Sequence, residues 1–288
     1  MTVTTFSGIR KQEDILIRLL TDYTNHFYRA LRTAYEGQFY DIAYIDEDHG
    51  SMLKLYQFEI EETDNGLAYQ RKLEVLKKLV ADGTIIDAGE WQAANVVAIS
   101  FDRHLYYPLL SLEDKRALPL KLRPMVFDAP SEWTFVQDLK EFYESSDGKA
   151  AIGNRSLYLL RNADRKEKGL GIPLAGSFYP DFLLWLVDDV TGQQWLTFVD
   201  PKGLRQVDLS NPKLRLYQEV KTIEKHLAMQ AKPDEPPLIL NAFVLSATKF
   251  ADLLNVDPVM KADLERRHVL FMEDGGAKYL KKLFAVLT

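Results

Sequence analysis

The chain has 288 residues, no cysteine, 47% hydrophobic and 27% charged residues, and a formal net charge of −6 at pH 7. This length can bury the core of one large or two modest globular domains, and the lack of cysteine excludes disulfides and thiolate metal sites. The sequence shows no apolar run of transmembrane length and no basic and apolar leader at its start, so we expect a cytoplasmic protein without a membrane segment.

The first 125 residues are predicted to be a mainly helical region. Apolar side chains recur at helical spacing between residues 9 and 36, and residues 66–82 show the same pattern before an Asp-Gly stop signal. Residues 39–62 contain two apolar patches around Asp48-His49-Gly50, a pattern compatible with an irregular hairpin, and residues 94–101 are predicted to be a strand. We assign residues 1–125 to positioning a partner or DNA.

The second part, residues 126–288, is predicted to be a separate α/β domain. It begins after a proline-punctuated stretch between Ser111 and Pro130. A helix, a three-stranded meander, a helix and two further strands follow in order, and a helix ends the chain. These elements fall at residues 131–145, 156–161, 179–202, 211–230, 237–246 and 268–272. The order predicts a mixed sheet flanked by helices.

A predicted β-hairpin at residues 179–202 carries the most informative side chains. Its two apolar runs are separated by the turn signal Asp188-Asp189-Val190-Thr191-Gly192. A turn at Asp189–Gly192 places Asp181 directly opposite Asp200, with Cβ atoms about 5 Å apart on one face. Strand alternation puts Lys202 on that face as well, about 7 Å from Asp200.

Two opposed carboxylates repel each other, and a divalent cation between them removes this penalty. Hard oxygen ligands select Mg²⁺ or Mn²⁺, so the hairpin predicts a metal site with a lysine beside it. Pro-Asp alone is common at strand entries, and Asp-X-Lys alone is usually a surface ion pair. Their combination in register favours the metal site.

These motifs resemble the PD-(D/E)XK nuclease superfamily, in which an acid after proline and an acid-X-lysine on the next strand hold the catalytic metal. Tyr179-Pro180-Asp181-Phe182 and Asp200-Pro201-Lys202-Gly203 look like the C-terminal nuclease module of type III restriction enzyme large subunits and related helicase-nucleases. The resemblance covers roughly residues 129–250. It implies a restriction-endonuclease-like α/β fold.

The resemblance also implies a Mg²⁺- or Mn²⁺-dependent nuclease that hydrolyses DNA, leaves 5′-phosphate and 3′-hydroxyl ends, and acts in restriction or defence. Asp181, Asp200 and the Pro201 carbonyl would hold one or two metal ions, with Lys202 as the catalytic lysine. Pro201 departs from the pattern because proline cannot donate to a central ladder. Either the strand stops pairing there, or a bulge redirects Lys202.

Glu132 is a further candidate metal ligand and catalytic acid, since family members often carry an acid on the helix before the first strand. It shares a helical stripe with Val136 and Leu139, so it can point towards the sheet. The helix macrodipole also accounts for an acid in a first turn. Glu141 shares its stripe with Asp138 and is predicted to face solvent.

Four residues are candidate contacts to nucleic acid. Lys213 and Gln218 lie on the helix after the lysine, where some relatives place a polar or basic side chain near the scissile phosphate; an ordinary amphipathic surface explains them equally well. Arg155 and Arg161 flank the first strand of the meander, and a pair of surface arginines is the interpretation that the sequence favours there.

The charge distribution is compatible with DNA binding despite the net negative charge. Residues 155–168 hold five Arg or Lys against two acids and residues 203–232 hold six against three, so basic stretches flank the hairpin. Residues 41–64 hold eight acids against one lysine. Each charge run on its own is equally consistent with a solvated face.

The sequence excludes several other classes of site. It contains no His-X-X-X-His pair for a zinc hydrolase and no glycine-rich phosphate-binding loop. A helicase or translocase activity would therefore come from a separate partner chain. Two alternatives to the nuclease remain open: a non-cleaving nucleic-acid-binding subunit, and a structural or regulatory subunit of a helicase complex. A homo-oligomer is also compatible with the sequence.

Overall fold

The computed structural model describes a defined part of the chain, and all structural statements below refer to it. The described residues are 55–84, 90–93, 96–99, 109–112, 119–123, 127, 129–162, 179–204, 212–231, 236–253 and 260–287, with isolated residues between 10 and 31. No helix among these residues is both long and apolar enough to cross a bilayer.

The chain divides into two compact units, Met1–Ala43 and Tyr44–Thr288. In the first unit the described residues, including 15–21, are helical, as predicted. The full extent of the predicted helix over residues 9–36 lies outside the described residues. The predicted division between residues 125 and 126 falls inside the second unit and stays a prediction.

The second unit begins with one helix and five short strands. These are β1 (Gln57–Ile60), α1 (Asp64–Ala81), β2 (Glu90–Ala93), β3 (Val96–Ile99), β4 (Leu109–Leu112) and β5 (Leu120–Arg123). β1 pairs with β5, and β2, β3 and β4 form a second antiparallel sheet. The helix at residues 66–82 and the strand at 94–101 are confirmed within a few residues. β1 falls within the hairpin predicted over residues 39–62 but pairs with β5, and the rest of that hairpin prediction lies largely outside the described residues. β2, β4 and β5 were not predicted.

The larger part of the second unit is a five-stranded mixed sheet with helices. Its elements are α2 (Pro130–Glu144), α3 (Ser146–Ile152), β6 (Arg155–Arg161), β7 (Phe182–Asp188), β8 (Gln194–Lys202), α4 (Leu216–Gln230), β9 (Ile239–Ser246), α5 (Met260–Arg266), β10 (Val269–Phe271) and α6 (Gly276–Ala285). The strand order is β10-β9-β8-β7-β6. β6, β7 and β8 are antiparallel, and β8, β9 and β10 are parallel. The predicted α/β class and element order are confirmed.

Helix α2 is fixed against both the sheet and α6. Phe135 on α2 packs on Phe182 of β7, with ring centroids 5.1 Å apart. The Tyr279 hydroxyl of α6 donates to Asp138 Oδ2 at 2.6 Å, so Asp138 does not lie on the predicted solvent face. A Cβ at Gly276 would lie only 2.6 Å from the Asp138 carboxyl carbon, so this close approach requires glycine. The start of α2 is thereby placed over one end of the sheet.

We expect Tyr279→Phe to lower the free energy of unfolding by about 1–3 kcal/mol, because the half-buried Asp138 carboxylate loses its donor. Urea denaturation measures this change. Tyr69→Phe on α1 is the matched control, since the structure records no hydrogen bond from that hydroxyl to another described residue. Equal losses in both variants would contradict the assigned role of the Tyr279 hydroxyl.

Candidate functional site: an acidic pair at the end of the hairpin

The β7–β8 hairpin has the predicted register. Phe182 pairs with Val199, and continuing this register by one residue places Asp181 opposite Asp200. The turn is closed by Asp188, whose Oδ1 accepts the backbone N–H groups of Val190 at 2.9 Å and Thr191 at 3.1 Å. The predicted register of the hairpin is therefore confirmed.

The two carboxyl groups meet in a poorly hydrated place. Asp200 is 3% exposed and the Asp181 side chain 24% exposed. Burial, followed by the charge of Asp200 and a hydrogen bond with it, raises the pKa of Asp181 to about 8, while Arg161 opposes the rise. When no cation is bound, a proton on Asp181 near neutral pH therefore relieves the repulsion between the two carboxylates.

Pro201 does not disturb the strand that carries the second acid. β8 pairs with β9 in constant register through Lys202, which pairs with Ser246, so of the two alternatives the bulge is absent, while pairing with β7 ends at Val199. The Lys202 carbonyl accepts from Ala247 N at 3.0 Å on the β9 side. Backbone groups of successive strand residues point to opposite sides, so the missing N–H of Pro201 falls on the β7 side, past the last β7–β8 pair.

The Pro201 carbonyl lies beside the start of α2. It accepts a hydrogen bond from Ser131 Oγ at 3.2 Å. A carbonyl oxygen has a second lone pair, so this contact leaves one acceptor position for a further partner. The hydrogen bond ties the helix to the strand that carries Asp200 and Lys202.

Lys202 shares the sheet face of Asp200 through strand alternation, and its side chain is exposed. Within the part of the chain that the structure describes, its ammonium has no ion-pair partner. The side chain is therefore exposed beside the strand end that carries Asp200, and no ion pair to the acidic pair is recorded among the described residues. This position suits a contact to a bound anion.

Arg161 is buried at this site, and the sequence interpretation of a surface arginine is wrong. It is 4% exposed, and its Nη2 lies 3.2 Å from Glu132 Oε2. Its Nη1 donates to the backbone carbonyls of Asp181 at 2.9 Å and Asn162 at 3.0 Å and lies 3.7 Å from Asp181 Oδ1. Sequence analysis therefore did not anticipate that the Arg161 guanidinium connects α2 to the acidic pair.

Asn162 is a second residue that the sequence did not single out. Its backbone N–H donates to the Asp181 carbonyl at 2.8 Å, and its side-chain Nδ2 donates to the Pro180 carbonyl at 2.9 Å. These bonds fix the Pro-Asp entry to β7 against the end of β6. The β6–β7 register, in which Arg161 pairs with Phe182, was the signal needed to find them.

Glu132 points towards the sheet as predicted and is 5% exposed. Arg161 and Phe182 share the sheet face that α2 covers, whereas Asp200 and Lys202 project from the other face. Glu132 is bound to Arg161 and not brought onto the carboxylate pair. The charge of Glu132 also contributes to the raised pKa of Asp181.

Arg155 is tied to the protein's own backbone. Its guanidinium donates to the carbonyls of Ile152 at 3.0 Å, Ala151 at 2.6 Å and Leu287, and it lies 5.0 Å from the Trp195 ring centroid. These bonds favour a structural role over the predicted phosphate contact.

The two candidates near α4 are placed in part. Gln218 lies in α4 with an exposed side chain, while Lys213 belongs to a 3₁₀ turn, Pro212–Arg215, and its side chain lies outside the described residues. Their contact with nucleic acid stays a prediction.

Carboxylate and carbonyl oxygens at one strand end form a donor set that suits a hard divalent cation. Among the described residues, however, no group of three or more His, Cys, Asp or Glu side chains is arranged to hold a metal ion. The available protein ligands are therefore the two opposed carboxylates and the neighbouring carbonyl.

Comparisons with protein-family models, with curated proteins and with solved structures give no match. The functional argument therefore depends on the residues of this site and their geometry.

We expect the metal-free protein to lose stability as the pH rises towards 8. The folded pKa of Asp181, about 8, lies above the value of about 3.9 for an unfolded aspartate, so the native state holds this proton more tightly. The resulting stability is complete below about pH 4 and is lost as the pH rises through about 8.

Asp181→Asn removes this contribution. The free energy of unfolding of the wild type should fall relative to that of the variant by up to about 1.4 kcal/mol per pH unit. Urea denaturation in EDTA at several pH values measures the difference. Asp82→Asn, at an exposed carboxylate, should keep the wild-type slope. A pH-independent difference between wild type and Asp181→Asn would contradict the shifted pKa.

Proposed function

We propose that the chain is a Mg²⁺- or Mn²⁺-dependent nuclease that hydrolyses phosphodiester bonds in DNA. The observation that carries the proposal is the pair of opposed carboxylates, the partly buried Asp181 and the buried Asp200, with an exposed lysine two residues beyond Asp200 on the same face. The resemblance to PD-(D/E)XK nucleases and a restriction-endonuclease-like fold belong to the same proposal. The mixed sheet and the β7–β8 register support it.

The charge of the site also supports a divalent cation. Asp181, Asp200 and Glu132 carry three negative charges when ionised, and Arg161 carries one positive charge, which leaves two negative charges in a poorly hydrated place. Burying uncompensated charge is costly. Asp181 and Asp200, with the Pro201 carbonyl, would hold the cation.

The residues of the chain divide the work of hydrolysis. The bound cation would supply Lewis-acid chemistry, polarising the phosphate and acidifying an attacking water. Asp181 and Asp200 would hold that cation at the end of the hairpin. Lys202 places a positive charge at the rim, where it stabilises charge that develops on the phosphate oxygens and orients the water.

The proposed substrate and partners follow from the same reasoning. DNA is the proposed substrate, with Lys213 and Gln218 as candidate contacts near the start of α4. Arg155 and Arg161 are engaged within the protein, so the basic character around residues 155–161 contributes less to binding than the sequence alone indicated. A helicase or translocase on a separate chain is the proposed partner, since the sequence has no phosphate-cradling loop.

We expect Asp200→Asn to lower Mg²⁺-dependent cleavage of plasmid DNA by about 1,000-fold or more. This exceeds the loss of about 10- to 100-fold that is typical when a residue that only hydrogen-bonds to a metal ligand is changed. Mn²⁺ should raise the melting temperature of the wild type, because binding to the native state stabilises it, and should not raise that of the variant. Differential scanning fluorimetry with and without Mn²⁺ measures this.

Asp82→Asn is the matched control for both assays and should behave as the wild type. A Mn²⁺ shift in Asp200→Asn equal to that of the wild type would mean that metal binds elsewhere. Absence of any shift in the wild type would remove the proposed metal site.

Lys202→Ala distinguishes a nuclease from a non-cleaving DNA-binding subunit. As a transition-state group, Lys202 should contribute about 100- to 1,000-fold to turnover and little to DNA affinity. Single-turnover cleavage and fluorescence anisotropy at several salt concentrations measure the two quantities. Lys149→Ala, at an exposed lysine of α3, is the control.

The opposite result has a distinct signature. If Lys202 only contacts phosphate, its loss should weaken binding and reduce the salt slope by about one counterion, with no selective loss of turnover. That outcome, with the acidic pair intact, would favour the non-cleaving subunit.

A further inference from the structure

The Arg161 guanidinium is enclosed by the protein on several sides. It is 4% exposed and has Glu132 Oε2 at 3.2 Å, two backbone carbonyls at 2.9 and 3.0 Å, and the Phe182 ring centroid at 5.3 Å. Moving this side chain to a ligand would leave Glu132 buried without its cation, which is strongly unfavourable. Arg161 therefore belongs to the architecture of the site and not to its substrate-binding surface.

Glu132 is held equally firmly on the other side of this ion pair. It lies in the first turn of α2 and is 5% exposed. The turn is fixed by the Ser131 hydrogen bond to the Pro201 carbonyl and by the packing of Phe135 on Phe182. These contacts fix the backbone from which the Glu132 side chain projects, and the Arg161 ion pair holds its carboxylate.

The sheet separates Glu132 from the second acid. Arg161 and Phe182 are register partners on the face that α2 covers, whereas Asp200 projects from the opposite face by strand alternation. Arg161 Nη1 reaches Asp181 Oδ1 at 3.7 Å while its Nη2 lies 3.2 Å from Glu132 Oε2, so the guanidinium contacts both Glu132 and the pair. The guanidinium of Arg161 thus bonds to the Glu132 carboxylate on one side and lies close to Asp181 on the other.

The charge count limits how many cations this arrangement accepts. Among the described residues, and apart from the exposed Lys202, three ionised carboxylates and one guanidinium leave two negative charges, which one divalent cation balances. A second divalent cation would leave the site with two positive charges beside a buried guanidinium. Among the described residues no third acid joins the pair to hold it.

We propose that Arg161 restricts the site to one divalent cation per chain by keeping Glu132 as its own partner. Glu132 then contributes charge through Arg161 and makes no bond to the metal, so both are positioning residues. This inference rests on the proposed metal site at Asp181 and Asp200, and it replaces the expectation that Glu132 is a ligand.

Isothermal titration of the full chain with Mn²⁺ tests the stoichiometry. We expect one ion per chain in the wild type. Asp181→Asn should weaken binding by more than about 100-fold, and Glu132→Gln by less than about 10-fold, the lower end of the effect of outer-shell partners. Two ions per chain, or equal losses in the two variants, would overturn the inference and leave the nuclease proposal standing. No Mn²⁺ binding in the wild type would overturn both.

Arg161→Met tests the guanidinium directly. Removing a positive charge close to the site and freeing Glu132 should tighten Mn²⁺ binding by about 10-fold or more, or admit a second ion. If the variant is unfolded without metal, folding on addition of Mn²⁺, followed by circular dichroism, would equally support this role of Arg161. Unchanged or weaker binding, or no folding at any Mn²⁺ concentration, would overturn the role of Arg161.

Discussion

The antiparallel register between β7 and β8 is the constraint on which the site depends. Pairing of Phe182 with Val199 brings an acid from each strand to the same end and the same face of the sheet. A slip of one residue would send one acid to the opposite face. The Asp188 turn fixes this register locally, and the apolar side chains of both strands fix it through burial.

The register creates an electrostatic problem that the rest of the site addresses. Two carboxyl groups in a poorly hydrated place repel each other, and the raised pKa of Asp181 is the measure of that repulsion together with burial. Arg161 relieves part of it, but Arg161 also neutralises Glu132. A proton or a divalent cation must relieve the remaining repulsion between Asp181 and Asp200. Because the proton and the proposed metal would compete for Asp181, pH, stability and metal binding are linked.

The sequence was sufficient for the parts of the site that local signals determine. A turn signal between two apolar runs gave the hairpin and its register, and the helical stripe of Glu132 correctly directed it towards the sheet. The strands of four residues at the start of the second unit carry too little periodicity to be recognised reliably, and β2, β4 and β5 were not predicted.

Arg161 could not be placed from sequence for a different reason. Its position depends on how β6 pairs with β7, and no short turn connects these strands to define that register. A charged residue at a strand end looks like a surface residue until its partners from α2 and β7 are known. The same holds for Asp138, whose partner Tyr279 lies 141 positions further along the chain.

The most direct test of the account is a crystal structure of the chain grown with Mn²⁺ and measured at a wavelength where manganese scatters anomalously. The account predicts one anomalous peak per chain, within bonding distance of carboxylate oxygens of both Asp181 and Asp200, with Glu132 still paired to Arg161. A peak at another site, or a well-ordered acidic pair with no peak at saturating Mn²⁺, would contradict it.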